Sequence, residues 1–211
     1  MTAKRPPTRR RQLLGLVGIN GLTGLTGLSR LTGLLSAAAA LVSADLHAQP
    51  ATPAPTTPPE LATDLPGATW RGSAVMRFIG MQIYDIRLWS PAALPAETNG
   101  QPLALELVYA RKLVGELIAS RSIDEMRRIG PFTETQAATW LAAMNKLFPN
   151  VQPGDRLTGV QLANGSTRFY FNGQRQGDVA DAEFTRLFFG IWLSPRTSEP
   201  RLREQLLGGG R

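Results

Sequence analysis

The sequence predicts an α+β fold in which an antiparallel β-sheet carries a layer of helices on one face. Two observations support this prediction. Segments with alternating apolar residues come first in the folded part of the chain and are typical of strands. Two helical segments, an Asn-Gly hairpin and two further helical segments follow them. Strands in this order pair antiparallel, and the helices that follow can cover one face of the sheet.

Three strands are predicted before the first helix, at residues 69–79, 81–89 and 103–109. Gly80 joins the first two strands. Residues 90–102 are rich in Pro and Ala and predict a loop. Alternate residues of the third strand are apolar, so one of its faces is expected to be buried. These residues are Leu103, Leu105, Leu107 and Tyr109.

Two helical segments come next. Residues 111–130 are predicted to form either one bent helix or two helices, because the apolar spacing shifts midway. Residues 133–150 give the clearest helical pattern, and Thr133 with Gln136 forms a capping box at its start. The apolar stripe of this helix consists of Ala137, Trp140, Leu141, Met144 and Phe148.

Residues 156–163 and 167–172 are predicted to form a β-hairpin. The Asn164-Gly165 pair between them is a strong short-range signal for a hairpin. Aromatic residues alternate in the second strand, which indicates a strand with one buried face rather than a surface for stacking nucleic-acid bases.

The last two helices are predicted at residues 181–193 and 198–208. Asp181 and Ser198 are placed to cap their N-termini, and Pro200 fits the first turn of the second. The first of the two helices contains the apolar block "FFGIWL". We expect this block to pack in the core, where it can also line an internal cavity.

Residues 1–48 are predicted to be an export signal that is similar to a twin-arginine signal, and the protein is expected in the periplasm. Paired arginines precede a Leu-rich stretch, and Arg30 separates this stretch from an apolar region of ordinary length. Cleavage is predicted after Ala44 or Ala48. A transmembrane anchor is the alternative, and Arg30 argues against it because a charge near the bilayer centre is costly.

Two further segments follow the leader. Residues 49–67 are rich in Pro, Thr and Ala and predict an extended, poorly ordered linker. Residues 68–208 are predicted to form the folded domain, and this length is sufficient for a single core.

Composition excludes several classes of function. The net charge is +7, but the first 48 residues hold six Lys and Arg against one acid, which leaves 17 basic and 15 acidic residues elsewhere. The predicted domain is therefore not basic enough to suggest a nucleic-acid partner. The sequence has no cysteine, and its one histidine, His47, lies in the leader. Thiol and histidine catalysis are excluded, and we expect no metal or cofactor.

Arg77 and Tyr84 are the candidate site residues. Arg77 lies in the middle of a strand, on the face opposite Met76 and Phe78. Tyr84 shares a face with Ile86 in the next strand. A strand arginine is usually exposed or paired, and the alternative is that Arg77 forms the cationic end of a binding cleft. The residues alone leave both interpretations open.

The domain resembles the chalcone isomerase-like family, in its bacterial exported branch. The resemblance covers about residues 69–208. It rests on the segments "GSAVMRF", "IYDIRLW", "FPNVQPGDRLTGV", "FYFNGQRQGDVADAEF" and "FFGIWLSPRTSEPRLREQLLG". The resemblance implies an open-faced β-sandwich, a large antiparallel sheet with a helical layer. Plant members of this family either close a flavanone ring or bind fatty acids.

The resemblance also implies roles for the two candidate residues. Arg77 matches the arginine that anchors the ligand in the family, and Tyr84 falls near the position of a catalytic threonine, where a tyrosine is typical of the fatty-acid-binding members. The enzymes carry a tyrosine and an asparagine on the helix after the third strand. In this chain that helix has neither, and its hydroxyl side chains are Ser120 and Ser122.

Three functions follow as hypotheses. The first is a binding protein that holds a small apolar anion, fatty-acid-like or phenolic, with Arg77 and Tyr84 as ligand-binding residues. The second is an isomerase of the intramolecular lyase type that acts on chalcone-like or other enone substrates, with the same two residues as the catalytic candidates. The third is a scaffold without a ligand. Membrane contact is expected only through an uncleaved leader, and the oligomeric state stays open.

Overall fold

The computed structural model describes residues 55–98 and 100–208. The predicted export signal at residues 1–48 lies outside the described residues. In the part of the chain that the structure describes, no helix combines the length and the apolar character needed to cross a membrane.

The predicted α+β class is confirmed, with a six-stranded sheet in which every strand pairs antiparallel with the next in sequence order. The helices follow the strands in the predicted order. The strands are β1 (Thr69–Phe78), β2 (Met81–Ser90), β3 (Leu103–Tyr109), β4 (Arg156–Gln161), β5 (Thr167–Phe171) and β6 (Gln174–Val179). The helices are α1 (Leu61–Asp64), α2 (Gly115–Ile129), α3 (Glu134–Leu147), α4 (Ala182–Leu193) and α5 (Pro200–Leu206).

The main core lies between the sheet and helices α2 to α5. The strand residues that the alternation pattern predicts to be buried, among them Leu105 and Leu107, face this layer. A cluster of phenylalanines fills its centre. Phe184 stacks on Phe188 with ring centroids 5.4 Å apart, and Phe169 meets both of them at steeper angles. This layer of helices is the one that positions the candidate site.

The region predicted to be a disordered linker ends earlier than expected. Residues 61–64 form α1, and Leu61 and Leu65 are fully buried against the opposite face of the sheet. Glu60 accepts a hydrogen bond from Arg156 at 3.1 Å and another from Thr158 at 3.0 Å. Leu61, Leu65 and Glu60 therefore hold this segment against the sheet, although its proline content predicts an extended chain.

Two local features differ from the sequence-based expectations, and one open choice is settled. Strand β6 was not predicted, because its residues are mostly exposed and do not alternate. Residues 115–129 form a single helix, which settles the choice between one helix and two. Ser198 is not an N-cap, since its hydroxyl instead donates to Glu125 at 2.9 Å.

The caps of α3 and α4 are confirmed. Thr133 accepts from the Gln136 amide and completes the predicted capping box. Asp181 accepts from the amides of Glu183 and Phe184, and its second carboxylate oxygen accepts from the Trp140 indole at 2.9 Å. Asp181 therefore joins α4 to α3 as well as capping α4.

Asp181→Ala is expected to lower the free energy of unfolding by about 2 kcal/mol, because it removes the cap and leaves the buried Trp140 N–H unpaired. Thr133→Ala, which removes a cap alone, is expected to cost about 1 kcal/mol. Urea unfolding followed by circular dichroism measures both variants. Equal losses would show that the bond between Asp181 and Trp140 adds nothing to stability.

Candidate functional site

A cavity of about 310 Å³ lies between the sheet and helices α2 and α4. Its wall is mostly apolar. Side chains from β1 to β5 form one side, α2 forms a second, and Phe188, Ile191 and Trp192 of the predicted "FFGIWL" block form a third. Gly159 of β4 also borders the cavity, and a Cβ at this position would contact the Phe169 ring at 3.4 Å. This distance is an ordinary van der Waals contact, so the position tolerates a small side chain.

Tyr84 reaches this cavity from β2. Its hydroxyl accepts a hydrogen bond from the Trp192 indole N–H at 3.0 Å. A phenol that accepts one hydrogen bond keeps its own proton free to donate. None of the described residues accepts that proton, so the Tyr84 hydroxyl is available to an oxygen atom of a ligand.

Tyr109 lies beside Tyr84 on β3. The two residues are direct partners across the antiparallel pair, and their rings meet edge to face with centroids 5.8 Å apart. Tyr109 is 2% exposed and lines the cavity. Its hydroxyl has no hydrogen-bond partner among the described residues. Because a buried phenol usually finds a partner, Tyr109 is a second polar group that a ligand could satisfy.

Both phenols stay protonated at neutral pH. Burial is the main cause that raises the pKa of Tyr84 to about 12, and the bond from Trp192 offsets part of this effect. Burial also raises the pKa of Tyr109, and the neighbouring Tyr84 adds to the increase. The two side chains are therefore hydrogen-bond donors in the cavity rather than bases.

This pKa shift predicts how stability depends on pH. The pKa of Tyr84 rises from an ordinary value of 10.0 to about 12 on folding, so the folded state holds the proton more tightly. The free energy of unfolding is then expected to fall by about 2 kcal/mol as the pH rises from about 10 towards 12. Urea unfolding of wild type and Tyr84→Phe across this range measures the difference. Parallel curves for the two proteins would contradict the shift.

A charged group borders the cavity where α2 meets the segment before α5. Glu125 is buried, forms an ion pair with Arg121 at 2.6 Å and accepts a hydrogen bond from the Ser198 hydroxyl at 2.9 Å. Arg121 is largely exposed, and Glu199 and Ser122 also line the cavity here. Because the Arg121 side chain is 63% exposed, its guanidinium has N–H groups to offer an anion as well as Glu125.

Arg77 does not line the cavity. Its neighbours Met76 and Phe78 do, and alternation along the strand points Arg77 to the other side, where it is exposed. The structure therefore brings Tyr84 to the cavity and leaves Arg77 outside its wall. The role of Arg77 as ligand anchor stays a prediction.

Three residues of this site were not predicted from the sequence: Tyr109, Arg121 and Glu125. Tyr109 was assigned to the buried face of β3, and its unpaired hydroxyl has no signal in the sequence. Arg121 and Glu125 are spaced four residues apart, which indicates an ion pair along a helix but does not distinguish a binding site from an ordinary surface pair. Among the described residues, no group of His, Asp or Glu side chains is arranged to hold a metal ion.

Comparisons with known proteins agree with this architecture. A family model described as chalcone isomerase-like matches residues 67–208. A Haemophilus influenzae protein described as uncharacterized is 30% identical over 145 residues, which are 68% of this chain and 70% of that protein. The crystal structure of a fatty-acid binding protein from Arabidopsis thaliana superimposes with a TM-score of 0.56 and 12% identity, and the match covers 75% of this chain and 91% of that one. At this identity the likeness shows the fold alone.

Proposed function

Because this chain belongs to the chalcone isomerase-like family, we propose that its cavity binds a small apolar molecule with an oxygen-bearing end, fatty-acid-like or phenolic. The observation that carries the proposal is the apolar cavity of about 310 Å³ with two phenol donors on its wall. This volume falls at the lower end of the range for small-molecule sites, about 300–1,000 Å³. A predominantly apolar wall with few polar groups is the usual composition of such sites.

The tyrosines favour binding over catalysis. Each is held as a neutral phenol, so it can donate to a carboxylate, phenolate or carbonyl oxygen, and the low polarity around it strengthens that bond. An isomerase would also need a group that accepts a proton, and a neutral phenol with a raised pKa does not do so at neutral pH. The helix that borders the cavity, α2, carries neither the tyrosine nor the asparagine of the plant enzymes.

Two arginines are candidates for the charged end of an anionic ligand. Arg77 is the predicted anchor, and Arg121 is the arginine that borders the cavity. A guanidinium offers a carboxylate two parallel N–H groups, which a single hydroxyl cannot. The two arginines lie on different elements, β1 and α2, so substitution can separate their roles.

Native mass spectrometry with a panel of fatty acids, their matching alcohols and small phenols tests the proposal. Wild type is expected to retain one fatty acid, and Tyr84→Phe is expected to bind it at least about tenfold more weakly, because one hydrogen bond to a charged oxygen is lost. Arg77→Ala and Arg121→Ala are compared in parallel with Lys146→Gln, an exposed control on α3. Only substitution of the arginine that anchors the ligand should weaken binding of the fatty acid more than binding of the matching alcohol. Absence of any bound acid or phenol in wild type would overturn the proposal.

The leader adds a proposal on location. We propose that the domain performs this binding after export, as the twin-arginine-like segment suggests. Cell fractionation followed by N-terminal sequencing checks it, and a mature chain that begins after Ala44 or Ala48 is the expected result.

A further inference from the structure

The tip of the β1–β2 hairpin and the start of α2 form an exposed apolar surface, which we call the tip patch. It consists of Phe78, Ile79, Met81, Val114 and Leu117. Ile79 is 81% exposed, Leu117 67% and Phe78 53%. Among the described residues, one other large hydrophobic side chain is exposed, Val75, and it lies on the same strand β1. Exposed apolar residues are usually scattered, so this concentration indicates an interaction surface.

The two parts of the tip patch are joined. Arg111, in the segment between β3 and α2, donates to the Met81 sulfur at 2.9 Å. Phe78, Val114 and Leu117 also border the cavity, so the tip patch surrounds an opening of the site described above. An apolar ligand that enters or leaves here passes the tip patch.

The hairpin turn presents its most apolar residue in an unfavourable backbone conformation. Ile79 has φ +49° and Gly80 has φ +76°, the positive pair that a two-residue hairpin turn requires. Asn, Asp or Gly fits the first position, whereas a β-branched residue there is a strained outlier. The isoleucine gains no burial within the described residues that would offset the strain, which favours a role for it outside the fold.

Cations flank the tip patch. Arg77, Arg111 and Lys112 are all exposed, and the acids on the same hairpin and helix start are Asp85, which accepts from Gln82, and Glu116. Apolar side chains at a protruding tip, with cations set beside them, are the arrangement that partitions into an anionic bilayer surface. A surface that binds a protein partner would more often be broad, with an apolar centre and a polar rim.

We propose that the tip patch docks on an anionic lipid membrane, with Ile79 inserted and Arg111 and Lys112 on the headgroups. The cavity opening then faces the bilayer, and an apolar ligand can pass between the two without crossing water. This inference extends the proposed function, since it assigns the cavity opening a membrane partner. Docking is measured without any ligand, so its failure would leave the ligand-binding result unaffected.

Fluorescence at the turn tests the docking directly. The sequence contains no cysteine, so Ile79→Cys in the full chain carries a single environment-sensitive NBD label. Its emission is expected to rise severalfold and shift to the blue on vesicles of equal parts phosphatidylcholine and phosphatidylglycerol. Nitroxide-labelled lipids should quench it. A label at Lys146→Cys on α3 is the matched control and should not respond. The leader is the same in both labelled proteins and contributes equally to their binding to vesicles.

Two substitutions without a label separate insertion from charge. Ile79→Asn suits the positive φ and should fold at least as well, while vesicle binding measured by flotation weakens about tenfold. Lys112→Gln should weaken binding to anionic vesicles about fivefold and leave the weaker binding to pure phosphatidylcholine unchanged. Lys146→Gln is its control.

Three results would overturn the proposal. One is a label at residue 79 that stays in water while the chain floats with the vesicles, since another segment would then bind the lipid. A second is equal flotation of wild type and Ile79→Asn. The third is a change in emission that depends on protein concentration and needs no vesicles, which would assign the tip patch to self-association.

Discussion

Phe184→Ala is expected to lower the free energy of unfolding by about 3–5 kcal/mol, the range measured for large core aromatics. Phe184 is fully buried, stacks on Phe188, and meets Trp140 and Phe169 edge to face. It does not border the cavity, so its removal opens a new void that the surrounding rings cannot easily fill.

Guanidinium unfolding followed by tryptophan fluorescence measures this loss. Leu117→Ala is the control, because Leu117 is 67% exposed and its truncation should change stability by under about 0.5 kcal/mol. A loss below about 1 kcal/mol for Phe184→Ala would show that the phenylalanine cluster does not form the centre of the core.

Gly115→Ala is expected to cost about 3 kcal/mol or more. Gly115 begins α2 where the helix lies against the end of α3, and its amide donates to Asn150 at 2.9 Å. A Cβ there would collide with the carbonyl oxygen of Phe148 and come within 2.8 Å of that of Pro149. Both obstacles are backbone atoms, so the helix itself must shift, at the upper end of the cost of overpacking.

Gly159→Ala provides the matched control. The added Cβ would meet side-chain atoms at ordinary contact distances of 3.4 Å or more, and its strand position favours alanine slightly. We expect its stability to stay within about 1 kcal/mol of wild type. Thermal unfolding of the two variants side by side measures the difference, and equal midpoints would contradict the close packing at Gly115.

Periodicity predicted most of the fold because the buried faces follow simple repeats. Alternation identified the inner faces of β3 and β5, and the helical stripe and capping box identified α3. Strand β6 was not predicted, because an edge strand of exposed polar residues carries no such repeat. The ordered structure of residues 55–67 was not predicted, because the burial of Leu61 and Leu65 is a tertiary effect and proline content dominates the local pattern.

The site was only partly predictable, for a reason that lies in the β1–β2 pairing. Alternation separates Arg77 from Met76 and Phe78, but it does not tell which of the two faces meets the helices. The register also shifts, since Met76 pairs with Tyr84 and Arg77 with Gln82. One extra residue of β2 is thereby accommodated, and Ile83 as well as Tyr84 reaches the cavity.

Ligand binding by a protein whose cavity has been filled tests most directly whether the cavity is the binding site. Ile118 of α2 borders the cavity and is only partly buried, so Ile118→Trp can place an indole in the space without disturbing the centre of the core. Ile118→Leu keeps the volume and serves as the control. Isothermal titration with the fatty acid that binds wild type best gives the three affinities.

Ile118→Trp is expected to bind at least about tenfold more weakly than wild type, while Ile118→Leu is expected to bind within about twofold. Equal affinity of wild type and Ile118→Trp, with both proteins folded, would show that the ligand lies elsewhere and would contradict the assignment of the cavity as the binding site.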